Sequence, residues 1–306
     1  MSGISYTDET TLGGFTQIEV AVDPEYGLVR LFFDPRPRPC FNPVIVSEIQ
    51  QLHEIILRHE GRIPHAGRLV PINYYVIDSR LDGIFCLGGD LGLFVEAIRR
   101  GDADALFAYA KSCIDTLYPV ISHFDLPIAT ISLIRGDALG GGFEAALGSH
   151  TVIAERQVKL GLPEIMFNLF PGMGAYNLLS RKVAPSIAER IILSGGSYSA
   201  EEMYEMGVVD QLAEPGKGEE TLYSFIRAHH KHRNGMLAIQ TVSQLVRPVT
   251  YEELIEVCRV WVETCLRLDR KDLRMMERLV QAQNRRVGVR PAAARVQKGR
   301  SLARPG

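Results

Sequence analysis

Two acidic residues and two glycine clusters hold the chemistry this chain can be expected to do. The run Gly136-Asp-Ala-Leu-Gly-Gly-Gly-Phe-Glu144 follows an apolar, β-branched segment at residues 128–134 and leads into a helix-like stretch at 143–147. A second carboxylate, Glu164, comes twenty residues after Glu144 and directly after Pro163. Consecutive glycines at a strand-to-helix junction leave backbone N–H groups bare, and such groups hold an oxygen that gains negative charge during a reaction. Two carboxylates beside that oxygen suit proton transfer at a carbon next to a carbonyl.

A second bare N–H is expected from Phe85-Cys-Leu-Gly-Gly-Asp-Leu91, where an apolar strand ends in two glycines and an acid. Gly89 and Gly141 would then supply the two donors that an oxyanion hole needs. Leu87 and Gly88 on one side, and Leu139 and Gly140 on the other, are expected to line the substrate space. Asp90 also reads as a helix N-cap. The tight turn Pro171-Gly-Met-Gly174 places Met173 and Gly174 as a wall of an acyl pocket, because backbone approaches closely at glycine. Trp261 serves as core, interface or pocket lining.

The surroundings of the two acids differ. Glu164 lies among apolar residues and glycine, which predicts a raised pKa, although glutamate in a first helical turn after proline is common for structural reasons. Glu144 lies in the first turn of a helix, whose dipole is expected to favour the charged form. The pair would then hold one proton between them and act in turn as acid and base. The simpler use of the glycines is close packing of helix on sheet.

Other chemistries lack their residues. The glycines do not fit the dinucleotide spacing, and the Lys-Ser/Thr of a phosphate loop is missing. No Gly-x-Ser-x-Gly elbow occurs, and Ser132 falls inside the strand. The eight histidines show no metal-ligand spacing, so no metal is expected, and His229-His230-x-His232 reads as a polar helix face. The cysteines (Cys40, Cys86, Cys113, Cys258 and Cys265) are odd in number without redox spacing, which suits buried thiols in a reducing cytoplasm. A net charge of −2 argues against general nucleic-acid binding. Residues 1–11 do not read as a signal peptide, and no apolar run reaches membrane-spanning length. From Arg285 onward there are seven basic residues and no acidic one; that tail is expected to be largely disordered, with a soft contact to an acidic partner as its functional reading.

The elements that must position these residues alternate. Strands are expected at 16–22, 27–33, 74–77, 84–87, 128–134, 151–154 and 208–212. Helices are expected at 44–59, 91–100, 103–124, 176–183, 186–193 and 200–206. This pattern predicts an α/β core with parallel pairing and right-handed crossovers. After about residue 214 only helices are expected, at 221–232, 235–245 and 250–285, the last as one long helix or two in tandem. The division is a core at 1–213, a helical C-terminal part at 214–285 and a basic tail at 286–306.

Taken together and in this order, the 85–91, 140–144 and 163–164 motifs resemble the crotonase (enoyl-CoA hydratase/isomerase) superfamily over residues 15–285. The resemblance implies a spiral of ββα units whose helical C-terminal region helps to build trimers, often paired as hexamers. It implies an oxyanion hole at Gly89 and Gly141, catalytic glutamates at Glu144 and Glu164, and an acyl thioester of CoA or acyl carrier protein as substrate, with no cofactor. Residues 139–147, 160–176 and 87–91, and the stretch around Trp261 and Arg285, are more similar to the bacterial diffusible signal factor synthases. Met173-Gly-Ala-Tyr-Asn-Leu178 stands where ordinary hydratases carry a Gly-Gly-Thr-Gln-Arg-Leu-like run. That resemblance implies dehydration of a 3-hydroxyacyl thioester to the cis-2-enoyl form, then hydrolysis that releases a free fatty-acid signal. It also raises a sensor kinase as a regulatory partner, to which no residue itself points. The competing expectations are a CoA-dependent hydratase or isomerase and a non-catalytic acyl-binding protein.

Overall fold

The computed structural model describes residues 14–286. β1 (Ile18–Asp23) and β2 (Leu28–Phe33) form an antiparallel hairpin. Gly27 closes it at φ 63°, and a Cβ there would stand 2.5 Å from the Pro71 carbonyl oxygen. α1 (Pro43–Arg58) starts on proline, which needs no N–H at that position, and Asn42 caps the N–H groups of Val44 and Ile45. A hairpin that the sequence pattern does not reveal follows, β3 (Arg62–His65) and β4 (Arg68–Pro71). Its strands are too short to display a period.

Three units then repeat one plan, a strand in a main sheet, a short strand in a second sheet, then helix. The first is β5 (Tyr74–Ser79), β6 (Ile84–Cys86), α2 (Leu91–Arg100) and α3 (Ala103–Ile121). The second is β7 (Ala129–Ile134), β8 (Asp137–Leu139) and α4 (Gly141–Leu147). The third is β9 (Thr151–Glu155), β10 (Lys159–Gly161), a 3-10 turn (Pro163–Phe167), α5 (Ala175–Lys182) and α6 (Pro185–Ser194). β11 (Ser197–Ser199), α7 (Ala200–Glu205) and β12 (Gln211–Ala213) complete the sheets. The main sheet has the order β1-β2-β5-β7-β9-β12 and is parallel from β2 onward; the second has the order β11-β10-β8-β6. This is the expected spiral of ββα units.

Helices follow β12: α8 (Gly218–Lys231), α9 (Arg233–Val246), α10 (Tyr251–Leu266) and α11 (Arg270–Arg286). The stretch expected as one long helix or two in tandem is two, and the Asp269 carboxylate accepts from the N–H groups of Lys271 and Asp272 to start the second. α8 lays Leu222 and Ile226 on one face of the main sheet, while α1 and α3 cover the other, so every residue of β5 is buried. His229 departs from the expected polar face. It is buried, with its Nδ1 3.2 Å from the Tyr74 hydroxyl. α10 and α11 pack on α3 and α2 in a separate apolar cluster that contains Trp261. All five cysteines are free and buried, and burial pushes each thiol pKa up. No described helix is long and apolar enough to cross a membrane. Residues 1–11 and nearly all of the 286–306 tail lie outside the described residues.

Candidate active site

The glycine run works in two places. Gly136 precedes β8, and a Cβ on it would stand 2.2 Å from the Ile84 nitrogen, so it serves the close passage of β8 along β6 and not the helix junction. Gly140 takes φ 54° and ψ −133°, a conformation open to glycine alone, and turns the chain from β8 into α4. Its own N–H donates to the Gly161 carbonyl at 2.9 Å. Gly142 lets α4 lie against β6, since a Cβ there would be 2.1 Å from the Cys86 carbonyl oxygen. The nearest atoms are the Cys86 carbonyl group and Cβ, which cannot swing away. Gly142→Ala is expected to destabilise the fold by about 1–3 kcal/mol, as overpacked sites do. Thermal unfolding measures it, and an unchanged Tm would contradict the packing described.

The two candidate donors meet. Gly88 sits at φ 97° and its carbonyl accepts from the Phe41 N–H at 2.8 Å. A Cβ on Gly88 would lie 3.1 Å from the Gly141 nitrogen, and one on Gly141 would lie 3.4 Å from the Gly89 nitrogen. The two amides are therefore neighbours, and side chains at these positions would crowd the space between them. Among the described residues, neither N–H is engaged by an acceptor.

Both amides open on a cavity of about 250 Å³. Leu87, Gly88, Gly89, Leu139, Gly140, Gly141, Glu144, Glu164, Met173 and Trp261 all line it, so strands β6 and β8, helices α4 and α10, the 3-10 turn and the 171–174 turn converge there. Gly174 does not line it; a Cβ at that position would meet Leu254 at 2.6 Å. Its neighbour Gly172 takes that place, under the Trp261 ring. Phe94, Tyr109, Phe167, Leu279, Gln283 and Arg286 also line the cavity. Sequence reasoning missed Phe94, Tyr109, Leu279 and Gln283 because each has the spacing of an ordinary helix-face residue; Phe167 falls in a turn with no period and Arg286 in the stretch read as tail. Asp90 stays outside, capping α2 through Gly92 and Leu93 and pairing with Arg38 at 2.6 Å.

Glu144 is 2% exposed, and its Oε1 accepts from the Met173 N–H at 2.8 Å and the Ala175 N–H at 3.0 Å. These donors favour the charged form. Burial outweighs them and raises the pKa well above the carboxylate range, against the expectation from the helix position. Glu164 is raised further, by burial and then by the charge of Glu144. Its Oε2 is out of reach of solvent and has no hydrogen-bond partner. Among the described residues, no Lys, Arg or His pairs with either acid. One proton on the pair, resting on Glu164, is the arrangement these contacts favour.

A pH dependence of stability follows. A carboxyl whose pKa is raised on folding contributes stability that is complete below its unfolded value, about 4.3, and is lost as pH rises through the raised value. The Tm is therefore expected to fall as pH rises from the acid side through neutrality, and to fall less in Glu164→Gln. Calorimetry across this range tests it; parallel curves for the two proteins would contradict the coupling.

A spiral of ββα units with two free glycine amides and two glutamates around one apolar cavity is the build of the crotonase superfamily. The family model described as Enoyl-CoA hydratase/isomerase matches residues 72–289, and the chain belongs to that family. It is 28% identical over 63% of its length to the fatty acid oxidation complex subunit alpha of Pseudomonas syringae pv. tomato. It is 29% identical over 74% of its length to the enoyl-CoA isomerase/hydratase claC of Penicillium crustosum. The chain spans about a quarter of the length of each of these proteins, 25% and 24%. Among solved structures, Pseudomonas aeruginosa DspI shares the fold at a TM-score of 0.65 and 21% identity, over 90% of this chain and 98% of that one. Human mitochondrial delta3-delta2-enoyl-CoA isomerase shares it at a TM-score of 0.69 and 18% identity, over 88% and 100%.

Proposed function

We propose that the protein dehydrates a 3-hydroxyacyl thioester and then hydrolyses the 2-enoyl thioester to a free cis-2-unsaturated fatty acid. The observation that carries the dehydration is the meeting of Glu144 and Glu164 with the free N–H groups of Gly89 and Gly141 at one cavity. The thioester oxygen would accept from the two amides as C2 loses its proton. The step runs from the less populated form of the pair, in which Glu144 holds the shared proton and Glu164 is charged: Glu164 takes the C2 proton, Glu144 gives its proton to the C3 hydroxyl, and water leaves with the new double bond in place. The pair ends with the proton on Glu164 and the charge on Glu144, the distribution that the Met173 and Ala175 donors favour. Charged Glu144 can then take a proton from water as that water attacks the thioester carbonyl. The same two amides hold the tetrahedral oxygen, and the carrier thiol departs with the proton.

The hydrolysis, the cis product, acyl carrier protein as the donor and a signalling role rest on the resemblance of residues 160–176 and 87–91 to diffusible signal factor synthases. An assembly of three or six copies rests on the superfamily and is supported by α9, whose Met236, Ile239, Val242 and Leu245 are exposed along one face. A cytoplasmic setting fits the free, buried cysteines.

Incubation with 3-hydroxydodecanoyl thioesters of acyl carrier protein and of CoA, with the lipid product identified, is the test. Free cis-2-enoic acid is the expected product. Reversible hydration of trans-2-enoyl-CoA without hydrolysis would replace this reading by a CoA-dependent hydratase, which the names of the matched relatives favour. Binding without turnover on either carrier would replace it by an acyl-binding protein.

A further inference from the structure

Met173 lines two cavities. One is the catalytic cavity; the other is an apolar space of about 30 Å³ between the main sheet and helices α1 and α3. The walls of the second include Phe33, Ile49, Tyr75, Leu117 and Val120, all buried. The two spaces lie one helical turn apart on α3, where Tyr109 lines the first and Cys113 the second. On α4 they lie one residue apart, at Glu144 and Ala145. The Met173 Sδ is 3.0 Å from the position a Cβ on Gly141 would take, so the thioether stands beside the paired amides and separates the two spaces.

The polar groups around the second cavity are mostly engaged. His53 Nε2 is 2.8 Å from the Tyr75 hydroxyl, and the Thr116 hydroxyl donates to the Ser112 carbonyl at 2.9 Å. His53 Nδ1 alone of these is left without a partner, and burial keeps that ring neutral. A small space with apolar walls and so few free polar atoms stays dry and takes hydrocarbon more readily than water. Methionine is unbranched and moves between rotamers at low cost.

We propose that Met173 is a movable partition, and that the terminal carbons of a long acyl chain displace it to enter the second cavity. Met173 and the walls behind it then set the longest chain the enzyme accepts. The inference rests on the acyl-thioester reading of the site and assigns it a specificity residue. Each methylene buried against such walls contributes roughly fourfold in affinity.

The test uses pantetheine thioesters of 3-hydroxyacyl groups, from four to sixteen carbons, with the wild type, Met173→Ala and Val120→Phe. Alanine keeps the backbone N–H that residue 173 donates to Glu144. Both kcat/KM and binding are read against chain length, the latter from the fluorescence of Trp261, the only tryptophan and a residue of the catalytic cavity. Met173→Ala is expected to raise the preference for the longest chain over the shortest by about tenfold, and Val120→Phe to lower it by about tenfold, the worth of one or two methylenes. Val46→Leu, in the same wall, replaces Val120→Phe if that variant does not fold. The same length profile in all three proteins would overturn the proposal. If the wild type turns over no thioester, the catalytic reading fails, yet the binding series still decides the partition: equal length dependence rejects it and a shifted one upholds it.

Discussion

Glu164→Gln is expected to lower kcat/KM for dehydration by about 10²–10⁴, the range over which a positioned acid–base group acts. Glutamine has nearly the same shape, so the cavity and the fold persist, but it cannot take the C2 proton. No structural contact is lost on Oε2, which has no partner to lose. Glu144→Gln is expected to fall as far. Its amide oxygen can still accept from the Met173 and Ala175 N–H groups, so the loss would report chemistry and not a displaced turn. Since the two acids pass one proton, the double variant should be little slower than either single variant. Rates followed by loss of the 3-hydroxyacyl thioester check this. Activity near that of the wild type in either single variant would remove the pair from the mechanism.

Gly141→Pro is expected to slow turnover by about 10²–10³ relative to Gly141→Ala, the effect of one oxyanion donor. Residue 141 is the first of α4, where proline is tolerated because that N–H has no helical partner. Proline therefore deletes the donor with little other change to the helix. Both variants add a Cβ, which would meet the Met173 Sδ at 3.0 Å and the Gly89 nitrogen at 3.4 Å, so alanine carries the crowding while keeping the N–H. The ratio of the two isolates the hydrogen bond. Equal rates, with both proteins folded by circular dichroism, would show that the Gly141 amide does not stabilise the reacting oxygen.

Legibility followed element length. Tyr74–Ser79, Ala129–Ile134 and α1 could be read because their apolar periods run over several residues. Of the second sheet only β6 was legible, as the strand at 84–87, while β8, β10 and β11, of three residues each, escaped notice. No period can be read in three residues, and these strands exist because distant segments pair with them. The pocket residues divide in the same way. Glycines and glutamates announce themselves by type, whereas Phe94, Tyr109 and Leu279 look like any apolar helix face until the helices are placed. Gly174 and Gly172 show the limit of a composition argument: both lie in one turn, and only the direction of the backbone decides which faces the cavity.

The sequence by itself determined the alternation of strand and helix, the two glycine-ended strands, and the pair of acids, because period, backbone permissiveness and ionisable groups are properties of local residue type. Only the tertiary structure decided that the pKa of Glu144 is raised. Locally it belongs to the first turn of a helix, which favours ionisation, but α4 is buried among β6, β7, β8 and α5, and loss of solvent outweighs the two backbone donors to the carboxylate. The same holds for the site as a whole. Gly89, Gly141, Glu144 and Glu164 come from three successive turns of the spiral, and the second sheet, of which the sequence reveals only β6, brings those turns into register.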